Sequence, residues 1–178
     1  QAVPWLDGML GSDLRILPGS ILAEERVLPW EELRALRLDK EQIWTELYLR
    51  FIDALVTRSA GRFPVSHGTL HGPSDMAAVL RGHSQSVLDL LYEPEEATRL
   101  LAQMAEIFRQ ITVAAWERIP LWHGGYYDAQ YQLWAPGPII RMQEDASGLY
   151  SPALYRRYLQ PVDRALAGHF LCAFMHLH

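Results

Sequence analysis

The sequence predicts an α/β fold in which helices alternate with the strands of a parallel sheet. Helical segments separate four short apolar runs that are typical of strands, and this alternation indicates βα units. Each run ends in polar side chains, and parallel sheets collect such groups at the carboxyl ends of their strands. A (β/α) barrel and a doubly wound open sheet share this property. The four runs are residues 62–68, 119–125, 138–145 and 170–178.

Residues 1–38 are predicted to form an irregular lead-in, because glycine and proline interrupt their short apolar runs. Alternating helices and strands then fill residues 39–178. The first helix is expected to start at Asp39, which has Gln42 at the spacing of a capping box. Gly61 is expected to end it. Its core-facing stripe is predicted to be Ile43, Trp44, Leu47, Phe51 and Leu55.

Proline and glycine mark the later helices. Pro73 opens a short helix that Gly82 closes, and a longer helix begins near Pro94. Ser151 followed by proline is a typical helix start, and Pro161 is expected to interrupt that helix. The buried face of the long helix is predicted to be Ala97, Leu100, Leu101, Met104, Phe108, Ile111 and Ala115.

Composition excludes several classes of protein. The 178 residues carry a net charge of −5, which argues against nucleic acid or an anionic membrane as the partner. No apolar run reaches the ~18 residues of a membrane span. The single cysteine, Cys172, cannot form an internal disulfide, as expected in a reducing cytoplasm. Because the first residue is not methionine and the last follows a strand-like run, we expect a longer chain to continue at both ends.

The carboxyl-terminal run ends in a His-x-His pair, His176 and His178. Residues two apart in a strand point to the same face, so two imidazoles at this spacing can reach one metal ion at roughly 2.0–2.1 Å. Protonated, the pair would instead hold an anionic substrate. The alternative is one hydrogen-bonded histidine at a strand end and one solvated histidine. Cys172 lies on the same face at a deeper level, where a small buried core residue is expected.

Other polar groups follow the remaining strand candidates. Asp145, at a strand tip, would bind an ammonium or pyrrole group or act as acid or base, or else cap the following turn. His67 is expected at the mouth of the sheet and His71 in turn structure. His123 precedes two glycines that allow close approach to a ligand, and Tyr126 offers a flat face with a hydroxyl tip. A glycine turn with packing aromatic residues explains that segment equally well.

Four segments, taken in order, resemble the uroporphyrinogen decarboxylase superfamily. In that superfamily a strand ends in a glycine-rich turn, which is followed by a proline and a helix. Later segments contain an aspartate, a helix that starts with Ser-Pro, and a strand that ends in histidine. The resemblance covers most of the chain from Arg62 to His178. The segments are "RFPVSHGTLHGPSDMAAVLRG", "LLYEPEEATRLLAQMAEIF", "MQEDASGLYSPALYRRYLQPVDRAL" and "FMHLH".

The resemblance implies a (β/α)₈ barrel of the TIM type. Such a barrel needs about 250 residues, so residues 1–178 would form a single partial-barrel domain. The superfamily has two chemistries. Uroporphyrinogen decarboxylase removes carboxyl groups from a tetrapyrrole without a cofactor, and its arginine-rich amino-terminal segment and an aspartate grip the substrate. Corrinoid-dependent methyltransferases move a methyl group between methylcobalamin and a thiol, with zinc held by a His-x-Cys pair and a later Cys.

This sequence departs from both branches. The arginine-rich motif of the decarboxylase is missing, Val79 and its neighbours stand where that enzyme carries a tyrosine, and Ala146 replaces its serine after the aspartate. Against the methyltransferase, His178 replaces the first cysteine ligand and the second falls beyond the sequence. Histidine is a competent zinc ligand, so a chain with His178 in place of the cysteine can still bind a metal. The residues missing from the decarboxylase pattern count more strongly against tetrapyrrole binding.

We therefore expect a cytoplasmic enzyme of the methyltransferase-like branch. The resemblance implies zinc and a corrinoid as cofactors, a small-molecule, tetrapyrrole or corrinoid substrate, and a corrinoid protein as partner. The metal ligands would be His176 and His178, the catalytic residues Asp145 and His67, and the substrate-binding residues His123, Tyr126 and Gln143.

Two alternatives remain open at this point. The first is uroporphyrinogen decarboxylase itself, which needs no cofactor and would use Asp145 to hold the pyrrole nitrogens. The second is a non-catalytic barrel that binds a corrinoid or a partner protein. The sequence gives no indication of oligomeric state.

Overall fold

The computed structural model describes residues 3–176 and confirms the α/β class. The helices are α1 (Trp5–Met9), α2 (Trp30–Ala35), α3 (Ile43–Ser59), α4 (Pro73–Arg81), α5 (His83–Tyr92), α6 (Pro94–Trp116), α7 (Pro152–Leu154) and α8 (Gln160–Ala167). The strands are β1 (Leu14–Leu17), β2 (Ser20–Ala23), β3 (Leu70–His71), β4 (Tyr126–Asp128), β5 (Leu133–Ala135), β6 (Ile139–Gln143) and β7 (Cys172–His176). A 3₁₀ helix spans Asp145–Leu149.

A three-stranded parallel sheet determines where functional side chains can meet. Strand β6 is central, with β3 on one side and β7 on the other. Leu70 lies opposite Met142, which in turn lies opposite Met175. The hairpins β1–β2 and β4–β5 are antiparallel. Within residues 3–176 the parallel sheet has three strands and is open, so the α/β class is confirmed but the partial (β/α)₈ barrel that the resemblance implies is not shown.

Helical crossovers connect the parallel strands, as parallel pairing requires. Helices α4, α5 and α6 lie between β3 and β6 in the chain, and α7 and α8 lie between β6 and β7. Every residue of the predicted face of α6 is buried, which confirms the helical periodicity of that segment. Among the described residues, no helix combines the length and the apolar character needed to cross a membrane.

Helix α3 begins four residues after the predicted start. Gln42, rather than Asp39, caps it, because the Gln42 side-chain oxygen accepts a hydrogen bond of 2.5 Å from the Trp44 N–H. The Asp39 carboxylate instead accepts a hydrogen bond of 2.9 Å from the Glu41 N–H and closes a turn before the helix. The prediction of Asp39 as the capping residue was therefore wrong, whereas the prediction of a helix in this segment is confirmed.

Helix α3 also turns a different face to the core. Three residues of the predicted stripe are exposed: Ile43, Leu47 and Phe51. Tyr48 and Ile52 are buried instead. The Tyr48 hydroxyl donates a hydrogen bond of 2.5 Å to the backbone carbonyl of His67, and this bond holds the Tyr48 face of the helix inward.

Two of the four predicted strands are misplaced. Residues 62–68 have irregular backbone, and the paired strand is Leu70–His71. Residues 119–125 form a turn, closed by a bridge between Trp122 and Gly125. The other two predicted strands are confirmed as β6 and β7. The lead-in contains more regular structure than expected, namely α1, the β1–β2 hairpin and α2.

The predicted interruption near Pro161 takes the form of a π-helical turn, Tyr155–Leu159, between α7 and α8. Ser151 caps α7 as predicted, since its hydroxyl oxygen accepts a hydrogen bond of 3.3 Å from the Leu154 N–H. Pro161 lies in the first turn of α8. A proline at that position leaves few helical hydrogen bonds unmade.

Gly72 lies where the chain passes close to the carboxyl end of β6. It joins β3 to α4, and its N–H donates a hydrogen bond of 2.7 Å to the Gln143 carbonyl. A Cβ at this position would collide with the Glu144 side chain and lie 2.9 Å from the Gln143 carbonyl oxygen. Glu144 cannot retreat easily, because its Oε2 accepts hydrogen bonds from the N–H (2.9 Å) and the hydroxyl of Ser74.

We expect Gly72→Ala to lower the free energy of unfolding by about 1–3 kcal/mol, because an added methyl group overpacks a site whose neighbours are fixed. Gly148→Ala is the matched control, since a Cβ at Gly148 would meet nothing within 4 Å. Urea unfolding of the two variants and the wild type measures the difference. Equal stabilities for the two variants would show that the methyl group added at Gly72 is accommodated without overpacking.

Candidate functional site

Three side chains form a row at the carboxyl edge of the parallel sheet. His71 ends β3, Gln143 ends β6 and His176 ends β7, and the register places Gln143 opposite both histidines. Paired residues in neighbouring strands project from the same face, about 4.8 Å apart. We call His71, Gln143 and His176 the edge row. It brings two imidazoles and an amide to one place on one face.

A second row on the same face lies one pleat deeper. Arg141, opposite Phe174 in the register, is only 2% exposed. Its guanidinium donates hydrogen bonds to Thr69 Oγ1 and Gln130 Oε1. Burial lowers the pKa of Arg141, and the negative charge of Asp128 opposes that effect. The buried cation fixes the strands and the β4–β5 loop beneath the edge row.

His71 is ion-paired with Asp7, a residue of α1 that is 1% exposed. The Nδ1 and Oδ2 atoms lie 2.7 Å apart, and the His71 side chain is 24% exposed. Burial acts to lower the pKa of His71, but the contact with Asp7 and the charges of Asp75 and Asp145 outweigh it and raise the pKa to about 9. His71 therefore carries a positive charge at neutral pH.

Asp145 lies beside the edge row. Its Oδ2 accepts a hydrogen bond of 2.8 Å from the Gln143 side-chain amide. The other oxygen, Oδ1, is buried and has no hydrogen-bond partner among residues 3–176. The structure thus brings Asp145, Gln143 and His176 together at one edge of the sheet, while their roles in catalysis and binding stay predictions.

Three buried acids lie near the edge row: Glu144 directly after β6, Asp75 in the first turn of α4 and Asp163 in α8. Glu144 is 1% exposed, and burial, reinforced by the charge of Asp163, raises its pKa well above the ordinary value. Burial also raises the pKa of Asp75 and of Asp163 to about 6. Asp75 accepts a hydrogen bond of 2.7 Å from the Ala146 N–H, and Asp163 accepts one of 2.9 Å from the Tyr155 hydroxyl. The Asp75 carboxylate thereby holds the backbone directly after Asp145.

His67 does not line the mouth of the sheet. It is 1% exposed and packs edge-on against Trp116, with ring centroids 5.2 Å apart. The Trp116 indole N–H donates a hydrogen bond of 2.9 Å to the Ile139 carbonyl, which places this cluster at the amino end of β6. Burial lowers the pKa of His67 to about 4. The expected position was wrong because β3 begins three residues after His67, not before it.

His123 and Tyr126 also lie away from the edge row. His123 is exposed in the turn before β4, where it has a φ of 49° and packs against the Trp122 ring at 4.9 Å. Tyr126 packs edge-on against Trp116 at 4.9 Å, in the same cluster as His67. Their predicted roles in substrate binding stay predictions, and their positions correspond to the glycine turn with packing aromatic residues.

Three residues near the edge row were not among the predicted site residues. His71 was expected in turn structure, Asp7 lies in the lead-in, and Tyr131 lies in the β4–β5 loop. The "HGP" sequence offered a usable signal for His71, because a Gly-Pro helix start directly after a residue marks it as the end of the preceding strand. No local pattern identifies Asp7 or Tyr131, since both reach the sheet only through tertiary packing.

The predicted metal pair can be placed only in part. His176 is at the edge row, while His178 lies outside the described residues. No group of three His, Cys, Asp or Glu side chains within residues 3–176 is arranged to hold a metal ion. Cys172 begins β7, at the opposite end of that strand from His176.

No protein-family model and no curated protein sequence matches this chain. Its fold is similar to that of a solved structure, a methyltransferase from Methanosarcina mazei, with a TM-score of 0.70 and 14% sequence identity. The match covers 99% of this chain and 49% of that protein, so the chain spans about half of its length. A likeness at this identity shows a shared fold.

The Asp7–His71 pair predicts a pH dependence of stability. The pKa of His71 is about 9 in the folded protein, against 6.5 when unperturbed. The ion pair therefore contributes its full stabilisation of the folded state below about pH 6.5. Its contribution is lost as the pH rises through 9. The difference between these two pKa values corresponds to a contribution of roughly 3 kcal/mol to the free energy of unfolding.

Urea unfolding at pH 7 and pH 10 tests this dependence. We expect the wild type to lose more stability between these pH values than Asp7→Asn, which lacks the ion pair. His123→Gln, at an exposed turn, is the control and should lose as much as the wild type. An equal loss in Asp7→Asn and the wild type would show that the pair does not carry the effect.

Proposed function

We propose that this chain forms part of a methyltransferase of the uroporphyrinogen decarboxylase superfamily, which moves a methyl group between a corrinoid and an acceptor. The observation that carries the proposal is the position of His176 beside Gln143 at the carboxyl edge of parallel strands. Active sites of (β/α) folds lie at this edge. The likeness in fold to a methyltransferase supports the same assignment without specifying its chemistry.

The donor set at this edge is compatible with a zinc site to which residues beyond the described part also contribute. His176 supplies one imidazole, and its Nδ1 already contacts the Tyr131 hydroxyl at 2.6 Å. Zinc-bound histidines commonly have their second ring nitrogen engaged in this way. His178 would supply the second ligand, and a further ligand is required from outside residues 3–176. Zinc at this position would act as a Lewis acid and lower the pKa of an acceptor thiol.

The other edge residues would bind and orient the substrate. Gln143 and Asp145, joined by their 2.8 Å hydrogen bond, present one amide and one carboxylate with a buried, unpartnered oxygen. His71 adds a positive charge on the opposite side of Gln143, held in place by Asp7. We infer a small-molecule substrate with a corrinoid protein as methyl carrier, in a cytoplasmic protein whose one cysteine is unpaired.

Uroporphyrinogen decarboxylase is the second candidate function. The Oδ1 of Asp145 favours it, because this buried carboxylate oxygen has no hydrogen-bond partner within residues 3–176 and can accept a hydrogen bond from a pyrrole N–H. This candidate requires no metal. The two proposals therefore differ in whether His176 or Asp145 is the indispensable residue.

We expect the purified full-length protein to contain one zinc ion per chain, because His176 ends β7 and the sequence places His178 two residues after it. His176→Ala should weaken zinc binding on the order of 100-fold or more, since it removes a ligand itself rather than a group behind it. His169→Ala, at an exposed position, is the matched control and should retain zinc. Elemental analysis and competition with a chromogenic chelator measure both quantities.

Activity assays separate the two candidate functions. Methyl transfer from methylcobalamin to a thiol, lost in His176→Ala, would support the methyltransferase. Carbon dioxide release from uroporphyrinogen by a zinc-free protein, lost in Asp145→Asn and retained in His176→Ala, would replace it with the decarboxylase.

A further inference from the structure

The loop of the β4–β5 hairpin, residues 129–132, crosses the face of the sheet that carries the edge row. Tyr131 of this loop contacts His176, with 2.6 Å between the Tyr131 hydroxyl oxygen and His176 Nδ1. The two ring centroids are 5.9 Å apart. The hairpin therefore places a hydrogen-bonding group on one nitrogen of the proposed metal ligand.

The backbone and side chains around Tyr131 hold it in this position. Its N–H donates a hydrogen bond of 2.9 Å to Asp128 Oδ1, which closes the loop. The neighbouring Gln130 accepts hydrogen bonds from Arg141 and from the Thr69 hydroxyl, the latter at 3.0 Å. Gln130 thus connects the loop to Thr69 and Arg141, which lie one pleat below the edge row.

The Tyr131 ring is also fixed by packing. It meets the Phe174 ring edge-on at 5.2 Å, and the Arg141 guanidinium lies 5.6 Å from its centroid. Phe174 and His176 are two residues apart on β7 and share a face. The same strand therefore holds the Tyr131 ring through Phe174 and receives its hydroxyl at His176.

We propose that Tyr131 is a positioning residue that fixes the orientation of the His176 ring at the edge row. The 2.6 Å contact joins the Tyr131 hydroxyl to Nδ1, and a tyrosine hydroxyl can either donate to this nitrogen or accept from it. In both cases the contact holds Nδ1 toward Tyr131, so Nε2, on the other side of the ring, has a fixed direction. This inference rests on the proposed function for its purpose, which is ligand binding through Nε2, but the hydrogen bond exists independently of that function.

Zinc binding by the full-length protein is the first test. Tyr131→Phe keeps the ring that packs against Phe174 and removes only the hydroxyl, so the fold is preserved. We expect zinc to bind 10- to 100-fold more weakly, the usual effect of removing a partner behind a metal ligand. Tyr127→Phe, on the same hairpin and opposite Trp134, is the matched control with wild-type affinity. Unchanged affinity in Tyr131→Phe would overturn the proposal.

A measurement on the metal-free protein tests the hydrogen bond alone. The ¹⁵N chemical shifts of the His176 ring, which report on its tautomer and its hydrogen bonding, should be the same in the wild type and in Tyr127→Phe. In Tyr131→Phe the Nδ1 shift should change because its hydrogen-bond partner is lost, with an unchanged urea midpoint. Identical ring shifts in all three proteins would overturn the proposal.

The two measurements also distinguish this inference from the proposed function. A wild-type protein that binds no zinc would contradict the metal-assisted methyltransferase. The ¹⁵N shifts of the His176 ring in the metal-free protein would still decide whether Tyr131 positions His176.

Discussion

The parallel register of β6 between β3 and β7 is the constraint on which the candidate site depends. Because side chains alternate along a strand, the pairing of Gln143 with both His71 and His176 turns all three to one face. A shift of either outer strand by one residue would turn its histidine to the opposite face. The chemistry available at this edge is therefore fixed by backbone hydrogen bonds, before any contact between the side chains themselves.

Groups on several sides hold this register at its carboxyl edge. The Glu144 N–H donates a hydrogen bond of 3.0 Å to the His176 carbonyl, which continues the β6–β7 pairing past Gln143. Gly72 allows the turn after β3 to close against Glu144. The Asp7 carboxylate holds His71 from α1, and Arg141 joins the strands to the β4–β5 loop. Burial raises the pKa of Glu144, of Asp75 and of Asp163, so each acid loses its charge more readily here than in water.

Local patterns in the sequence predicted the elements whose signals are themselves local. Proline and glycine marked α4 correctly, and the apolar periodicity of α6 identified its buried face. The strand patterns of β6 and β7 placed Gln143, Asp145 and His176 at the carboxyl ends of these strands. The errors arose where tertiary contacts decide between local alternatives. Two apolar stripes compete on α3, and a buried bond from Tyr48 selects one. The irregular backbone around His67 contains apolar residues typical of a strand, yet it packs at the amino end of the sheet.

Cross-strand nuclear Overhauser effects in the isotope-labelled protein test the register most directly. The register predicts backbone contacts that pair Leu70 with Met142 and Gln143 with His176, in the presence or absence of any metal. Contacts that pair Gln143 with Met175 instead would place His176 on the opposite face from Gln143. That result would contradict the edge row and every functional conclusion that depends on it.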